Sequence, residues 1–329
     1  MKRNLSRLWG TYFQRIYSGE ETYMQTRKKS ILFMELVVLS ALVCIACMNK
    51  GWEYNKGKLS LHTNEGLHSW IELSKKSDYY ECVEVIIGDS VTIIPEDTFK
   101  GYSNLQRVQL GASVIRIENG AFCSCEVLSE IEWNGALESI GEKAFEKTAL
   151  KKIILPNSLK VIEDFAFNQC IDLESCVLPD SLCWLGCNFT DCNKLREIIL
   201  PNNLKQIEDY SFSGCNALRI VIIPASVEVL GYDAFSESGV EQIVIRGNLK
   251  EMRSLRTSLM PSLKQIVFLA DPPIKCTQEG GMQGLINNIG SDATIYCMRN
   301  NIAFQSLGDT FNGFKLVRVD SIQDLPPID

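Results

Sequence analysis

Reactive side chains are few in this chain, and their spacing limits what they can do. The 329 residues include 13 cysteines and two histidines. Cys183, Cys187 and Cys192 follow a C-x3-C-x4-C spacing that zinc could use. A structural zinc site takes four ligands, and no fourth ligand of suitable spacing lies near. Cys123 and Cys125 form C-x-C, a slender basis for redox chemistry. His62 and His68 are six residues apart, and catalysis would need a nucleophile or carboxylate fixed beside them. No serine elbow, H-E-x-x-H pair or phosphate-binding glycine loop is present. The sequence therefore assigns no catalytic residue, no metal ligand and no cofactor. A net charge of −7 argues against a nucleic-acid partner, which wants a basic face. With 46% apolar residues the chain can build a core, so global disorder is excluded.

The elements that would position these residues come from a repeat. Phenylalanine recurs at 99, 122, 145, 167, 189, 212 and 235, in steps of 23, 23, 22, 22, 23 and 23. LKKIILPNSLKVIEDFAFNQC (150–170) and LREIILPNNLKQIEDYSFSGC (195–215) show the frame L-x-x-I-x-L-P-x-x-L-x-x-I-x-x-x-A-F-x-x-C. In L-x-x-I-x-L the apolar residues alternate as a short strand requires. Pro156, Pro179, Pro201 and Pro224 follow it, where a missing N–H ends a ladder. The next apolar pair, such as Leu159 and Ile162, turns the chain back over the core, and a short helical turn then carries the phenylalanine. One unit cannot bury its own apolar face, so units must stack. Cys125, Cys170, Cys192 and Cys215 all stand three residues after the phenylalanine, in a slot that Tyr102, Thr148 and Ser238 fill elsewhere. A slot with four residue types is a packing position, and mostly buried free thiols are expected.

This frame resembles the BspA-like, surface-antigen type of leucine-rich repeat over residues 83–268. The resemblance implies an α/β solenoid: a stack of 22–23-residue units with one parallel sheet, short helical turns opposite, and end caps. It also implies an exported protein, in some members an adhesin for host matrix proteins or a coaggregation factor. Residues 57–95 are similar to the entry segment of such proteins and residues 293–319 to the exit segment, where Cys297 and Met298 replace the usual Val-Pro. The expected organisation is an export signal at 1–47, an N-terminal cap at 48–82, repeats at 83–268, and a loop-rich segment with a C-terminal cap at 269–329.

Seven basic residues precede an apolar stretch at 36–48. That stretch is shorter than the roughly 20 residues of a membrane span and fits a signal-peptide core. Met24 opens a compact version of the same signal. Ile45, Ala46 and Cys47 resemble a lipoprotein cleavage box, although Cys44 stands where leucine is usual. Cys47 is thus the candidate lipidated residue, with an uncut signal anchor as the other reading. Setting aside the seven basic residues and Glu20, Glu21 and Glu35 leaves 26 basic and 37 acidic side chains, a net charge of −11.

The strands' outward column reads Gln109, Glu132, Ile154, Val177, Ile199, Ile222, Val244, Val267. The six β-branched residues form an apolar stripe and the candidate partner-binding face, while β-branched residues also suit any pleated sheet. Beside it run Lys151, Glu174, Arg196, Arg219, Glu241 and Lys264, mostly alternating in sign. Glu132 has no second carboxylate in its column, so paired-carboxylate hydrolysis has no candidate. The expected function is an exported, membrane-tethered leucine-rich-repeat protein that binds a protein or surface ligand at the outer membrane or surface of a bacterium. Its tether would be an N-terminal lipid or signal anchor. The alternative is a structural or assembly component of the cell envelope; an enzyme is disfavoured.

Overall fold

Each strand of the repeat is short, so its stability comes from the turns above and below it. The computed structural model describes residues 51–74, 81–255, 259–270, 275–276, 292–305, 308–311 and 314–327. The expected export signal and most of the loop-rich passage at 269–292 lie outside them. From Glu84–Ser90 onward, successive turns place strands in parallel: Arg107–Gln109, Glu130–Glu132, Lys152–Ile154, Ser175–Val177, Glu197–Ile199, Ile220–Ile223, Gln242–Ile245, Gln265–Phe268, Thr294–Met298 and Phe314–Val319. Cys176 pairs with Ile153 on one side and Ile198 on the other. Val108, Ile153, Cys176, Val221, Ile243 and Ile266 point inward and are buried. The ladder is interrupted after Glu130–Glu132 and again after Glu197–Ile199.

The stacked solenoid expected from the frame is the one observed, with one addition and one correction to the expected helical turns. The apolar pair that turns the chain back is itself a strand. Ile93–Ile94, Arg116–Ile117, Ser139–Ile140 and Val161–Ile162 form one parallel ladder, and Trp184–Leu185, Gln206–Ile207, Val229–Tyr232, Glu251–Ser254 and Lys275–Cys276 another. Two residues per turn suffice because the second is inward and buried, as at Ile117, Ile140, Ile162 and Ile207.

The phenylalanine segment is a run of turns and not a helix. Its backbone is left-handed two residues before the phenylalanine, at Asp97, Gly120, Lys143, Phe165, Tyr210 and Asp233. It is left-handed again two residues after, at Gly101, Ser124, Lys147, Gln169, Asp191, Gly214 and Glu237. A helix would aim its N–H groups along its own axis. Here they reach the next turn: the N–H groups of Phe99, Phe122, Phe145 and Phe212 donate to the carbonyls of Ala121, Ala144, Ala166 and Ala234, each at 2.8 Å. At Gly214 (φ 73°) an added Cβ would come within 2.4 Å of Asp191 Oδ1, so any other residue there would have to displace that carboxylate as well as take the left-handed backbone.

The interior is two columns. The seven repeat phenylalanines are fully buried and stack ring on ring, with centroids 5.1 to 5.9 Å apart and planes within 13°. Next to them, each repeat cysteine thiol donates to the carbonyl of the phenylalanine one turn back: Cys125 to Phe99 at 3.0 Å, Cys170 to Phe145 at 3.2 Å, Cys192 to Phe167 at 3.3 Å and Cys215 to Phe189 at 3.1 Å. Burial pushes the Cys125 thiol up to about 12 and Cys170 to about 11, and raises Cys192 and Cys215 likewise. Thr148 and Ser238, in the same slot, instead donate to the phenylalanine of their own turn.

Both ends are sealed. Trp52–Asn55 and Lys58–Thr63 form a hairpin on the first turn, and the helix Asn64–Ser74 lies with it. Trp52 meets Trp70 edge to face at 5.2 Å. At the other end Thr310–Phe311 pairs antiparallel with Phe314–Val319. Phe304, on the short helix Ile302–Gln305, lies 5.5 Å from Phe268 and 5.4 Å from Phe311.

Two outcomes are expected. Phe167→Ala removes one ring from the middle of the stack and should lower stability by about 3–5 kcal/mol, read as a fall in the urea midpoint. Phe167→Leu should cost clearly less, and an equal loss in both would assign the energy to ring stacking instead of volume. The second concerns pH. Below the ordinary thiol value of 9.0 the buried thiols are protonated in both states. Above it the unfolded chain releases protons that the folded chain retains, so stability falls with rising pH by about 1.4 kcal/mol per unit per thiol. A Cys125→Ala, Cys170→Ala variant should show a shallower fall in urea midpoint between pH 9 and 11 than the parent.

Candidate binding face

An outward side chain on a three-residue strand has neighbours only in the turns on either side, which fixes its column. Ile154 is 69% exposed, Ile199 50% and Ile222 43%, with Val177 half-buried among them. Across the ladder Val177 pairs with Ile154 and Ile199. Ile154, Val177 and Ile199 make an apolar stripe across one ladder, and Ile222 follows across the interruption, lining the same groove as Ile199. The pattern alone carries the stripe on through Val244 and Val267, and the structure corrects this: both are buried, at 5% and 0%. Behind the last strand the C-terminal segment returns to this end of the face, where Gln265 Nε2 donates to the Pro326 carbonyl at 3.3 Å.

Two grooves flank Ile199. One, of about 410 Å³, runs between Ile154 and Asn202 along Pro156, Pro179 and Pro201. The other, of about 390 Å³, lies where the ladder is interrupted between Glu197–Ile199 and Ile220–Ile223. The second was not legible in the frame, because the interruption changes no residue of the repeat. The only sequence signal is Arg246, which stands in the slot after the strand that proline fills in four earlier turns.

The neighbouring charge column is realised at its far end. Glu241 bridges Arg219 at 3.4 Å and Lys264 at 3.0 Å. Lys151 and Arg196 have no ion-pair partner among the described residues. Both cations are more than half exposed while Glu241 is largely buried, and pairs whose cations sit in solvent contribute little to stability.

The other candidates do not come together. Cys183 is exposed, Cys187 half-buried and Cys192 buried, so the C-x3-C-x4-C residues do not face one point. Among the described residues no three of His, Cys, Asp or Glu group as metal ligands. The ten cysteines whose side chains are described are all free thiols, and Cys183 is the exposed one. His62 and His68 are both on the surface of the entry cap. Asn188, first residue of the sequon Asn188-Phe189-Thr190, is fully buried and accepts from the Ala166 N–H at 2.9 Å, which leaves no room for a glycan. Cys47 lies outside the described residues.

Comparison with known proteins gives one family match and several similar solved structures. The family described as "BspA type Leucine rich repeat region" matches in six copies, over residues 76–188 and 187–271. No curated protein sequence matches the chain. Among solved structures, a leucine-rich repeat protein from Bacteroides ovatus is 23% identical, with a TM-score of 0.51 over 82% of this chain and 81% of that one. A leucine-rich repeat protein of T. pallidum is 24% identical, with a TM-score of 0.41 over 61% and 85% of the two chains. The pneumococcal vaccine antigen PcpA is 17% identical, with a TM-score of 0.39 over 73% and 80%. With the family match covering more than half of its residues, the chain belongs to the BspA-type leucine-rich repeat family.

Proposed function

We propose that this protein is an exported binding module, tethered to the bacterial envelope through a lipid on Cys47, that holds a protein or surface ligand on its sheet face. The observation that carries this reading is the stripe of Ile154, Val177, Ile199 and Ile222. Three of these are more than 40% exposed on an otherwise well-packed scaffold. Leaving aliphatic side chains in water costs roughly 25 cal/mol per Å² of surface that a partner could cover. Contiguous patches of this kind mark interaction surfaces, and solenoids present them in extended rows. Family membership supports a binding role over catalysis. Among the described residues no helix is long and apolar enough to cross a membrane; in this reading the tether is Cys47 and the role is adhesion or recognition outside the cell.

The test has two arms. Metabolic labelling with a clickable fatty acid should mark the protein, Cys47→Ala should abolish the label, and protease added to intact cells should remove the repeats. A chain that is unlabelled and protected would instead be an internal envelope component. In the second arm, Ile199→Asp together with Ile222→Asp should leave the circular dichroism spectrum and melting temperature near those of the parent, because both side chains face water. Retention on immobilised host matrix proteins should fall at least tenfold. Unchanged retention by the folded double variant would remove this face from the reading.

A further inference from the structure

The groove at the ladder interruption has a chemistry of its own. Its floor is aliphatic, formed by Ile198, Ile199, Leu200, Ile220, Ile222 and Pro224. Its rim carries two guanidinium groups, Arg196 and Arg246, against one carboxylate, Glu197. Neither guanidinium has a hydrogen-bond or ion-pair partner among the described residues, although acidic side chains outnumber basic ones in the whole chain by 40 to 33. Arg246 takes the place of a repeat proline, and its N–H bonds the Ile223 carbonyl at 3.1 Å, a bond that proline, with no N–H, cannot make. This turn thus gains an inter-turn bond, and a long charged side chain stands beside the groove where earlier turns carry a proline ring.

Further along the same face the chain's own C-terminal segment makes a backbone contact. After Phe314–Val319 the C-terminal segment reaches Gln265, whose Nε2 donates to the Pro326 carbonyl. Gln265 Oε1 in turn accepts from Gln242 Nε2 at 2.7 Å, which fixes the carboxamide that holds the segment. Residues 320–329 read DSIQDLPPID: three carboxylate side chains, a leucine, two isoleucines and two adjacent prolines; Asp320 pairs with Arg299 at 2.6 Å and Asp324 accepts from the Ser321 N–H at 2.8 Å. Accepting that the sheet face binds partners, we infer that the groove between Ile199 and Ile222 takes an extended, acidic, proline-containing peptide segment of a partner protein. An aliphatic or proline side chain fills the apolar floor. Carboxylates on either side pair with Arg196 and Arg246, whose planar guanidinium groups suit bidentate contact. The partner's acidic residues are repelled elsewhere by the net negative chain and attracted at this rim, so charge gives register as well as affinity.

The experiment uses a fluorescent peptide with the sequence of residues 320–329, added to the intact chain and read by anisotropy. A second peptide carries asparagine in place of Asp320, Asp324 and Asp329. The acidic peptide should bind saturably and weaken with added salt. The asparagine peptide should bind at least tenfold more weakly. Arg196→Gln with Arg246→Gln should cost the acidic peptide at least tenfold, at unchanged melting temperature, since both side chains are exposed. Equal binding of the two peptides, no binding, or indifference to the arginine substitutions would overturn the inference. Should the peptide fail while Ile199→Asp with Ile222→Asp still abolishes retention on matrix proteins, the face stands and its acidic-peptide chemistry falls. Failure of both removes the face itself.

Discussion

The rest of the structure depends on the hydrogen bond from one turn to the next. A strand of two or three residues has almost no internal cooperativity, and a tight turn with two left-handed residues carries backbone groups that cannot pair within it. Both are satisfied only by a neighbour 22 or 23 residues away, as when the Phe99 N–H meets the Ala121 carbonyl. Buried backbone groups left unpaired cost about as much as a lost hydrogen bond each, so a turn stands only where its neighbours supply partners. The same demand fixes turn length. A slip of one residue would send every inward side chain of a strand to the outside, and would take Phe167 off the stack between Phe145 and Phe189. The thiol of each repeat cysteine repeats this logic in side-chain form, since it donates to a carbonyl one turn back.

What the sequence discloses follows from which of these demands is met by residue type. The phenylalanine column was legible because only a large apolar ring fills that volume in seven turns. The cysteine slot was legible as packing, since a position shared with threonine, serine and tyrosine cannot be a dedicated ligand. The second ladder was not, because two residues are too few to display an alternation. The left-handed positions were hidden for another reason: Lys143, Phe165, Gln169 and Tyr210 occupy them without the glycine or asparagine that usually marks such backbone. Inter-turn hydrogen bonds on both sides impose the conformation there, overriding local preference.

The candidate face divides in the same way. Ile154, Val177, Ile199 and Ile222 were readable from alternation within each strand, a local property. Burial of Val244 and Val267 was not, because it depends on parts of the chain outside their own strands; at that end of the face Gln265 meets Pro326, about 60 residues further on in sequence. The groove at Ile222 was equally unreadable: it arises where two strands of ordinary sequence are not joined in the ladder. Local pattern specifies which way a side chain points. Long-range contact decides whether anything stands in front of it.

That division has a consequence for how such a face can change. Inward and outward residues alternate on each strand, so the column that holds the fold and the column that meets a partner are separate sets of side chains on one backbone. Ile222 is outward while Val221 and Ile223 beside it are fully or nearly fully buried. Stability in a solenoid is a sum of terms between adjacent turns, and the outward residues enter those terms only through exposed pairs worth a few tenths of a kcal/mol. The face can therefore be rewritten turn by turn with little effect on the phenylalanine and thiol columns behind it. Arg246 is the case in point: at the slot that proline fills in earlier turns its N–H bonds Ile223, and its guanidinium, with no partner among the described residues, stands beside an apolar groove. On this scaffold a charge unpaired in the free protein costs little, because water solvates it, and it becomes useful only when a partner carboxylate arrives.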